Sequence, residues 1–178
     1  MKGALALVVT VLSLICVMAF STSAASEDAK WITAWGTAPT EIGVDGYDYI
    51  TAYVSKVTVR SVLKPTADGS QLRIRVSNAY GKEAMKLTRV TVAKSVGGSK
   101  IDLSTMKAVT FNEGQPFVSV PAGKEYVSDP VVMDVKAGEE IAISIYIEDF
   151  TDVKTMGLSG ADTYIATTLE GDGDFTDQ

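Results

Sequence analysis

The sequence predicts an all-β protein, an antiparallel β-sandwich or jelly roll of roughly eight strands. Three observations lead to this fold class. Several segments alternate apolar and polar residues with a period of two, which is the pattern of strands buried on one face. Turns that contain glycine separate these segments at short intervals. No stretch after residue 25 carries an apolar stripe with helical spacing, although one short helical turn is conceivable at residues 81–85.

The clearest strand is predicted at residues 140–147, where isoleucines occupy one face and smaller or polar residues the other. Residues 72–77 repeat the pattern, with Arg73 and Arg75 pointing outward. Further strands are predicted at residues 57–60, 90–92, 109–111, 118–120 and 131–135. Because only one face of each segment is apolar, we expect antiparallel pairing, since parallel strands are usually buried on both faces.

The N-terminal residues 1–25 are expected to be a secretory signal peptide. A positive start at Lys2 is followed by an uncharged apolar stretch up to Phe20 and then by small residues. A membrane anchor is the alternative, but the stretch is at the lower edge of the length that spans a bilayer. We therefore predict cleavage after Ala24 or Ala25 and a secreted, extracellular protein.

Residues 26–167 are expected to form the β-sandwich module, held together by its hydrophobic core. Cys16 is the one cysteine and lies in the signal segment, so the mature chain is expected to form no disulfide. Residues 168–178 are acidic and contain glycine, which predicts a solvated linker toward a domain that is absent from this chain. The aspartates of this segment do not fit a calcium-binding loop, which needs glycine at its sixth position. We expect no metal and no cofactor.

The absence of histidine limits the chemistry of the chain. It excludes a Ser-His-Asp triad and histidine-ligated zinc within these residues. Residues 157–161 resemble the G-x-S-x-G nucleophile elbow, but the second glycine is replaced by Ala161 and no helix is predicted to follow, so we expect a loop. A net charge of −6 disfavours nucleic acid and anionic membranes as partners. We identify no catalytic residue.

Four side chains are candidate glycan contacts. Tyr47 and Tyr49 lie in a glycine-containing loop and form a possible pair of exposed rings on which a sugar stacks. Arg73 and Arg75 lie on one strand face, where they are candidates for binding a carboxylate-bearing sugar. The alternatives are buried aromatic packing and a solvated arginine face paired with acidic residues. Two further candidates for the same arginine stripe are Arg60 and Arg89.

An ordered set of short motifs points to a family. The set starts with W-I-T-A-W-G at residues 31–36 and continues with L-R-I-R-V-S-N-A-Y-G at residues 72–81. It then includes V-S-D-P-V at residues 127–131, followed by Asp162-Thr163-Tyr164 and Gly171-Asp172. In this order and spacing, residues 31–174 resemble the N-terminal β-sandwich module of secreted SGNH hydrolases, the GDSL-type esterases and lipases. The most specific part is R-x-R-x-S-N-x-Y-G followed by S-D-P-V.

The resemblance implies a non-catalytic module of a secreted esterase. In that family a catalytic α/β domain follows the module, carries a Gly-Asp-Ser nucleophile block and hydrolyses acyl esters, typically on O-acetylated carbohydrate. The present sequence stops before that block, so no catalytic residue is carried over, and the chain is expected to be a fragment. The implied partner is the C-terminal catalytic domain of the same parent chain, with polysaccharide as a second candidate.

Three other functions remain open from the sequence. A stand-alone secreted carbohydrate-binding module is the main alternative to the esterase module. A purely structural surface protein is another. A stand-alone esterase is the least favoured, because acyl transfer without histidine needs an unusual Ser-Lys or carboxylate arrangement.

Overall fold

The computed structural model describes residues 30–42, 53–157, 160–168 and 172–178. All pairings between its described strands are antiparallel, so the predicted all-β fold class is confirmed. A single 3-10 turn, Leu103–Thr105, is present in the same ranges. Within them, no helix is long and apolar enough to cross a membrane.

Sixteen strand segments are present in the described ranges, more than the roughly eight predicted, because the sequence did not predict many of the short strands and because the run at residues 72–77 is divided. The segments are β1 (Pro39–Glu41), β2 (Tyr53–Val54), β3 (Val57–Leu63), β4 (Gly69–Leu72), β5 (Arg75–Ser77), β6 (Met85–Leu87), β7 (Arg89–Gly97), β8 (Lys100–Ile101), β9 (Lys107–Ala108), β10 (Val118–Val120), β11 (Glu125–Val127), β12 (Val131–Val135), β13 (Ile141–Ile147), β14 (Thr151–Asp152), β15 (Thr155–Gly157) and β16 (Ala161–Thr167).

The largest sheet has the order β16-β3-β13-β7-β8, and β9 also pairs with β7. Its central strand β13 is the strand that the sequence predicts most clearly. It pairs with β3 from Ile141 opposite Leu63 to Ile147 opposite Val57, and with β7 on its other side. The isoleucines of β13 therefore face the core together with valines of both neighbours.

Three two-stranded pairs, β4-β12, β5-β11 and β6-β10, lie against the apolar face of this sheet. Their inward residues and those of the sheet form one core, in which each fully buried aliphatic side chain contributes about 1.5–3 kcal/mol. Fully buried members from both layers include Leu87, Val90, Val92, Val109, Phe111, Val118 and Val120.

Two predicted strands differ from the structure. The run at residues 72–77 is divided, because the backbone N–H of Ile74 donates to Oγ of Ser128 (2.9 Å) instead of continuing a strand ladder. Residues 109–111 form no strand, and Phe111 makes an isolated bridge with Gln115 while its ring fills the core. The conceivable helical turn at residues 81–85 is absent.

The second face of the large sheet is polar but is not open to solvent. Thr58, Thr91, Ser144 and Tyr146 are all buried on this face. Residues 172–178, which we call the C-terminal segment, lie across it, and Thr176 within the segment is 0% exposed. The expectation of a solvated linker is therefore corrected for residues 172–178. The polar face carries buried hydroxyl and guanidinium groups that need hydrogen-bond partners, and backbone oxygens of this segment supply them. The signal peptide predicted at residues 1–25 lies outside the described residues.

Candidate functional site

Arg73 and Trp31 form a pair on the surface of the sandwich. The guanidinium carbon of Arg73 lies 4.4 Å from the centroid of the Trp31 ring, which is within cation–π range. Arg73 is exposed, and Trp31 keeps 40% of its surface exposed. The alternation of the sequence sends Arg73 outward because its neighbour Ile74 enters the core. The pair presents a flat cation on an aromatic ring to solvent.

The other arginines do not extend this pair into a stripe. Arg75 forms a surface ion pair with Glu125 (3.2 Å), the outcome that the sequence left open as the alternative. Arg60 and Arg89 do not join the stripe, because β3 and β7 place them at the C-terminal segment, where both contact it.

The guanidinium of Arg60 is the centre of the polar face. Its Nε donates to Oγ of Ser144 (2.7 Å), and its terminal nitrogens donate to the backbone oxygens of Ser99, Phe175 (2.8 Å) and Gln178 (2.7 Å). Burial lowers the pKa of Arg60 below its usual value. Because carbonyl groups occupy most of its N–H donors, Arg60 serves to attach the C-terminal segment to the sheet.

A groove of about 580 Å³ runs beside the C-terminal segment and is lined by Arg60, Tyr164, Phe175 and other residues. Its rim carries exposed apolar side chains, among them Ile165 (71% exposed). Its main polar group, Arg60, is already hydrogen-bonded, so the groove is chiefly an apolar surface.

Arg89 attaches the same segment by ion pairs. Its Nη1 lies 3.0 Å from Oδ2 of Asp174 and 3.5 Å from Oδ2 of Asp177. Desolvation acts to raise the pKa of Asp174, but hydrogen bonds from Thr176 and Arg89 outweigh it, so the pKa lies below its usual value. Asp174 and Asp177 thus attach the C-terminal segment to the sheet.

Two other aromatic side chains form an exposed pair at Tyr53 and Phe150. Their ring centroids are 5.4 Å apart, their planes differ by 13°, and they are 54% and 73% exposed. Nζ of Lys154 lies 5.5 Å from the Tyr53 ring centroid. The predicted pair Tyr47 and Tyr49 lies outside the described residues.

Asn78, from the motif at residues 72–81, is a buried junction between turns. Its Nδ2 donates to the carbonyl oxygens of Glu83 (2.9 Å) and Val120 (3.0 Å). Its backbone oxygen accepts from the N–H groups of Gly81 and Gly123. One amide side chain therefore joins the end of β5 to the end of β10.

Asp129, from the S-D-P-V motif, holds a left-handed turn. Asn112 and Glu113 have φ angles of 48° and 62°, and the N–H groups of Glu113 (3.1 Å) and Gly114 (2.8 Å) both donate to the Asp129 carboxylate. Successive N–H groups in such a turn form a concavity suited to an anion, and here a side chain of the same chain fills it. Desolvation acts to raise the pKa of Asp129, but hydrogen bonds from Thr110 and from these two N–H groups outweigh it. The pKa therefore lies below its usual value.

The described residues contain no arrangement typical of ester hydrolysis. The hydroxyl of Ser128 bonds to backbone groups, and that of Ser144 accepts from Arg60. Strand β16 follows the G-x-S-x-G-like segment in place of the helix that a nucleophile elbow requires. No group of three or more acidic, cysteine or histidine side chains able to hold a metal occurs in the part of the chain that the structure describes.

The sequence points to Arg73, and to Trp31 and Tyr53 as aromatic residues that could form a sugar platform, but it does not pair Trp31 with Arg73 or Tyr53 with Phe150. Phe150 lies directly after Glu148-Asp149 and outside any alternating run, which is a local signal of exposure. The pairing of Trp31 with Arg73 joins residues distant in the sequence and has no local signal.

No protein-family model matches this chain, and no curated protein matches it significantly.

Proposed function

We propose that this chain is the non-catalytic N-terminal β-sandwich module of a secreted SGNH or GDSL-type esterase. The parent enzyme would hydrolyse acyl esters, with O-acetylated carbohydrate as the favoured substrate class. The module's partner would be the C-terminal catalytic domain of the same protein. The ordered motif set, from residues 31–36 to Gly171-Asp172, carries this proposal.

The structural positions of the motif residues support the proposal. Asn78 and Asp129 are hydrogen-bonded at junctions between strands, and Ser128 bonds to both the N–H and the carbonyl oxygen of Ile74, in the break between β4 and β5. Residues with such roles fix how neighbouring strands of the sandwich connect. The proposal therefore rests on motifs that specify this architecture, in a chain without histidine.

The coding DNA beyond codon 178 tests the proposal most directly. We expect a Gly-Asp-Ser block and a later Asp-x-x-His pair in the same reading frame. A stop codon immediately after codon 178, with no such block downstream, would contradict the esterase-module proposal.

An activity assay provides a second test with the purified chain. We expect no turnover of p-nitrophenyl acetate above the buffer background, with a carboxylesterase of known activity as the positive control. Saturable hydrolysis that co-purifies with the chain would show that it carries its own catalytic machinery.

A stand-alone carbohydrate-binding module is the second candidate, and the Tyr53–Phe150 pair favours it. Phe150 is 73% exposed and stacks on Tyr53, and the outer face of its ring suits the C–H face of a pyranose. Affinity electrophoresis on acetylated xylan and pectin tests this candidate. We expect the glycan to retard the migration of the wild-type chain. The retardation should be lost in Phe150→Ala but kept in Val132→Ala, a control at a different exposed apolar residue (62% exposed). Unretarded migration on a broad glycan panel would exclude it.

A further inference from the structure

We propose that Arg73 and Trp31 form a binding subsite for the carboxylate of an acidic sugar, such as a uronic acid residue in a polysaccharide. This inference adds a ligand class to the module and does not require the catalytic domain, so it stands or falls separately from the proposed function.

Among the arginines of the described residues, Arg73 is the one whose guanidinium has no hydrogen-bonded or ion-paired partner. The chain has four arginines, and the other three are engaged with Ser144, with Glu125 or with Asp174. In the described part of the chain, Arg73 makes no hydrogen bond and no ion pair. Asp129 is the acidic group close enough for Arg73 to lower its pKa, and its carboxylate already accepts from Thr110, Glu113 and Gly114.

Trp31 restricts the movement of the Arg73 guanidinium. A long arginine side chain in solvent normally loses rotamer entropy when it binds a ligand. Contact with the ring at 4.4 Å restricts the side chain before any ligand arrives. The fork of N–H donors at the edge of the guanidinium matches the two oxygens of a carboxylate, which favours bidentate binding.

The apolar surface beside Arg73 indicates which type of carboxylate fits the subsite. Trp31 keeps 40% of its surface exposed although Arg73 lies over its ring, and the adjacent Ile32 is 58% exposed. A carboxylate attached to a sugar ring therefore meets a cation and an apolar surface at the same place. An aspartate or glutamate of a partner protein would use the cation without needing that apolar surface, so the geometry favours a uronate.

Isothermal titration of the purified full chain with oligogalacturonate tests the inference, with fully methyl-esterified oligogalacturonate and inorganic sulfate as comparison ligands. We expect binding of the free acid, at least tenfold weaker binding of the methyl ester, and no comparable binding of sulfate. Nuclear magnetic resonance should show a shift of the Trp31 indole N–H signal. The Trp35 signal should stay in place, because its Nε1 donates to Gly160 (2.8 Å) away from the proposed subsite.

Variants separate the subsite from general charge. Arg73→Gln should weaken oligogalacturonate binding at least tenfold, and Arg73→Lys should recover only part of it, since lysine keeps the charge but lacks the planar fork. The matched control Arg75→Gln should change the affinity less than twofold, because Arg75 is paired with Glu125. Both arginines are exposed, so the variants should fold normally.

Three results would overturn the inference. One is equal binding of the acid and its methyl ester. Another is equal loss of affinity in Arg73→Gln and Arg75→Gln. The third is no detectable binding of oligogalacturonate, which would leave an acidic protein surface as the partner of Arg73. None of these results would bear on the downstream coding DNA, which tests the esterase-module proposal.

Discussion

At the scale of single residues, Asn78 shows how one buried amide connects several turns. It is 2% exposed and donates to two backbone oxygens within 3.0 Å. Removing the side chain deletes both hydrogen bonds, one of which is the buried bond to the carbonyl oxygen of Val120. We expect Asn78→Ala to lower the free energy of unfolding by about 3 kcal/mol, measured by urea denaturation. The control Gln115→Ala, at an exposed position, should change it by less than about 0.5 kcal/mol.

Gly81 gives a coupled test of the same junction. A Cβ atom at Gly81 would lie 2.0 Å from Oδ1 of Asn78, too close for both to keep their positions. Gly81→Ala should therefore destabilise the wild-type chain but be nearly neutral in the Asn78→Ala background, as residues in direct contact are not additive. If the effects of the two substitutions are additive, the contact with Asn78 is not the reason that Gly81→Ala is destabilising.

Asp129 predicts how stability changes in acid. Its folded-state pKa lies below the usual carboxyl value of 3.8, so its contribution is fully present above that pH. The contribution is lost as the pH falls from that value through the lower folded-state pKa. We expect Asp129→Asn to be less stable at neutral pH and to lose less stability between pH 5 and pH 2, the range in which carboxyl groups titrate. Thermal unfolding at a series of pH values measures this, and parallel curves for both proteins would contradict it.

At the scale of elements, the C-terminal segment depends on Gly173. This residue has a φ angle of 75°, and a Cβ atom on it would lie 2.0 Å from the Lys56 oxygen. Gly173→Ala should release the segment, raising hydrogen exchange at the Phe175 amide, which donates to Oγ1 of Thr58 (2.9 Å), by at least about tenfold.

Gly138 provides the control for this prediction. Its φ angle of 78° is nearly the same, but nothing lies within 4 Å of the added Cβ, so Gly138→Ala carries the backbone strain without the clash. The Phe175 amide should stay protected in that variant. Unchanged protection in Gly173→Ala would mean that other contacts are sufficient to hold the segment.

Strand-scale patterns were predictable where packing on one face dominates. The alternation at residues 140–147 became the central strand β13, since period-two alternation directly reports one apolar face. The break between β4 and β5 was not predictable, because it depends on a hydrogen bond from Ile74 to Ser128, 54 residues away. The strands of two or three residues also lack the length that a periodic signal needs.

At the scale of the whole molecule, the apolar rim of the groove is a solubility liability. Ile165 is 71% exposed on β16, which lies at one end of the sheet order. Ile165→Lys should reduce self-association, measured by light scattering, with a change in unfolding free energy of less than about 0.5 kcal/mol. The control Val92→Lys, at a fully buried position, should prevent folding. A large loss of stability in Ile165→Lys would show that this side chain is packed in solution.

The candidate sites, like the strands, could be predicted from the sequence only in part. Arg73 was identified because alternation places its side chain outward, but its partner Trp31 belongs to a distant segment of the chain. Alternation treats Arg60 like Arg73, yet the structure buries Arg60 (7% exposed) against the C-terminal segment and leaves Arg73 exposed. The difference arises from what covers each sheet face, which no local pattern records.

The all-β class, the antiparallel pairing, the apolar face of each long strand and the lack of histidine could all be read from the sequence. These follow from local periodicity and composition, which act over a few residues. The tertiary structure was needed to show that the C-terminal segment covers the polar face of the large sheet and that Trp31 contacts Arg73. Both depend on contacts between residues far apart in the chain, where burial and hydrogen bonding are set by the fold as a whole.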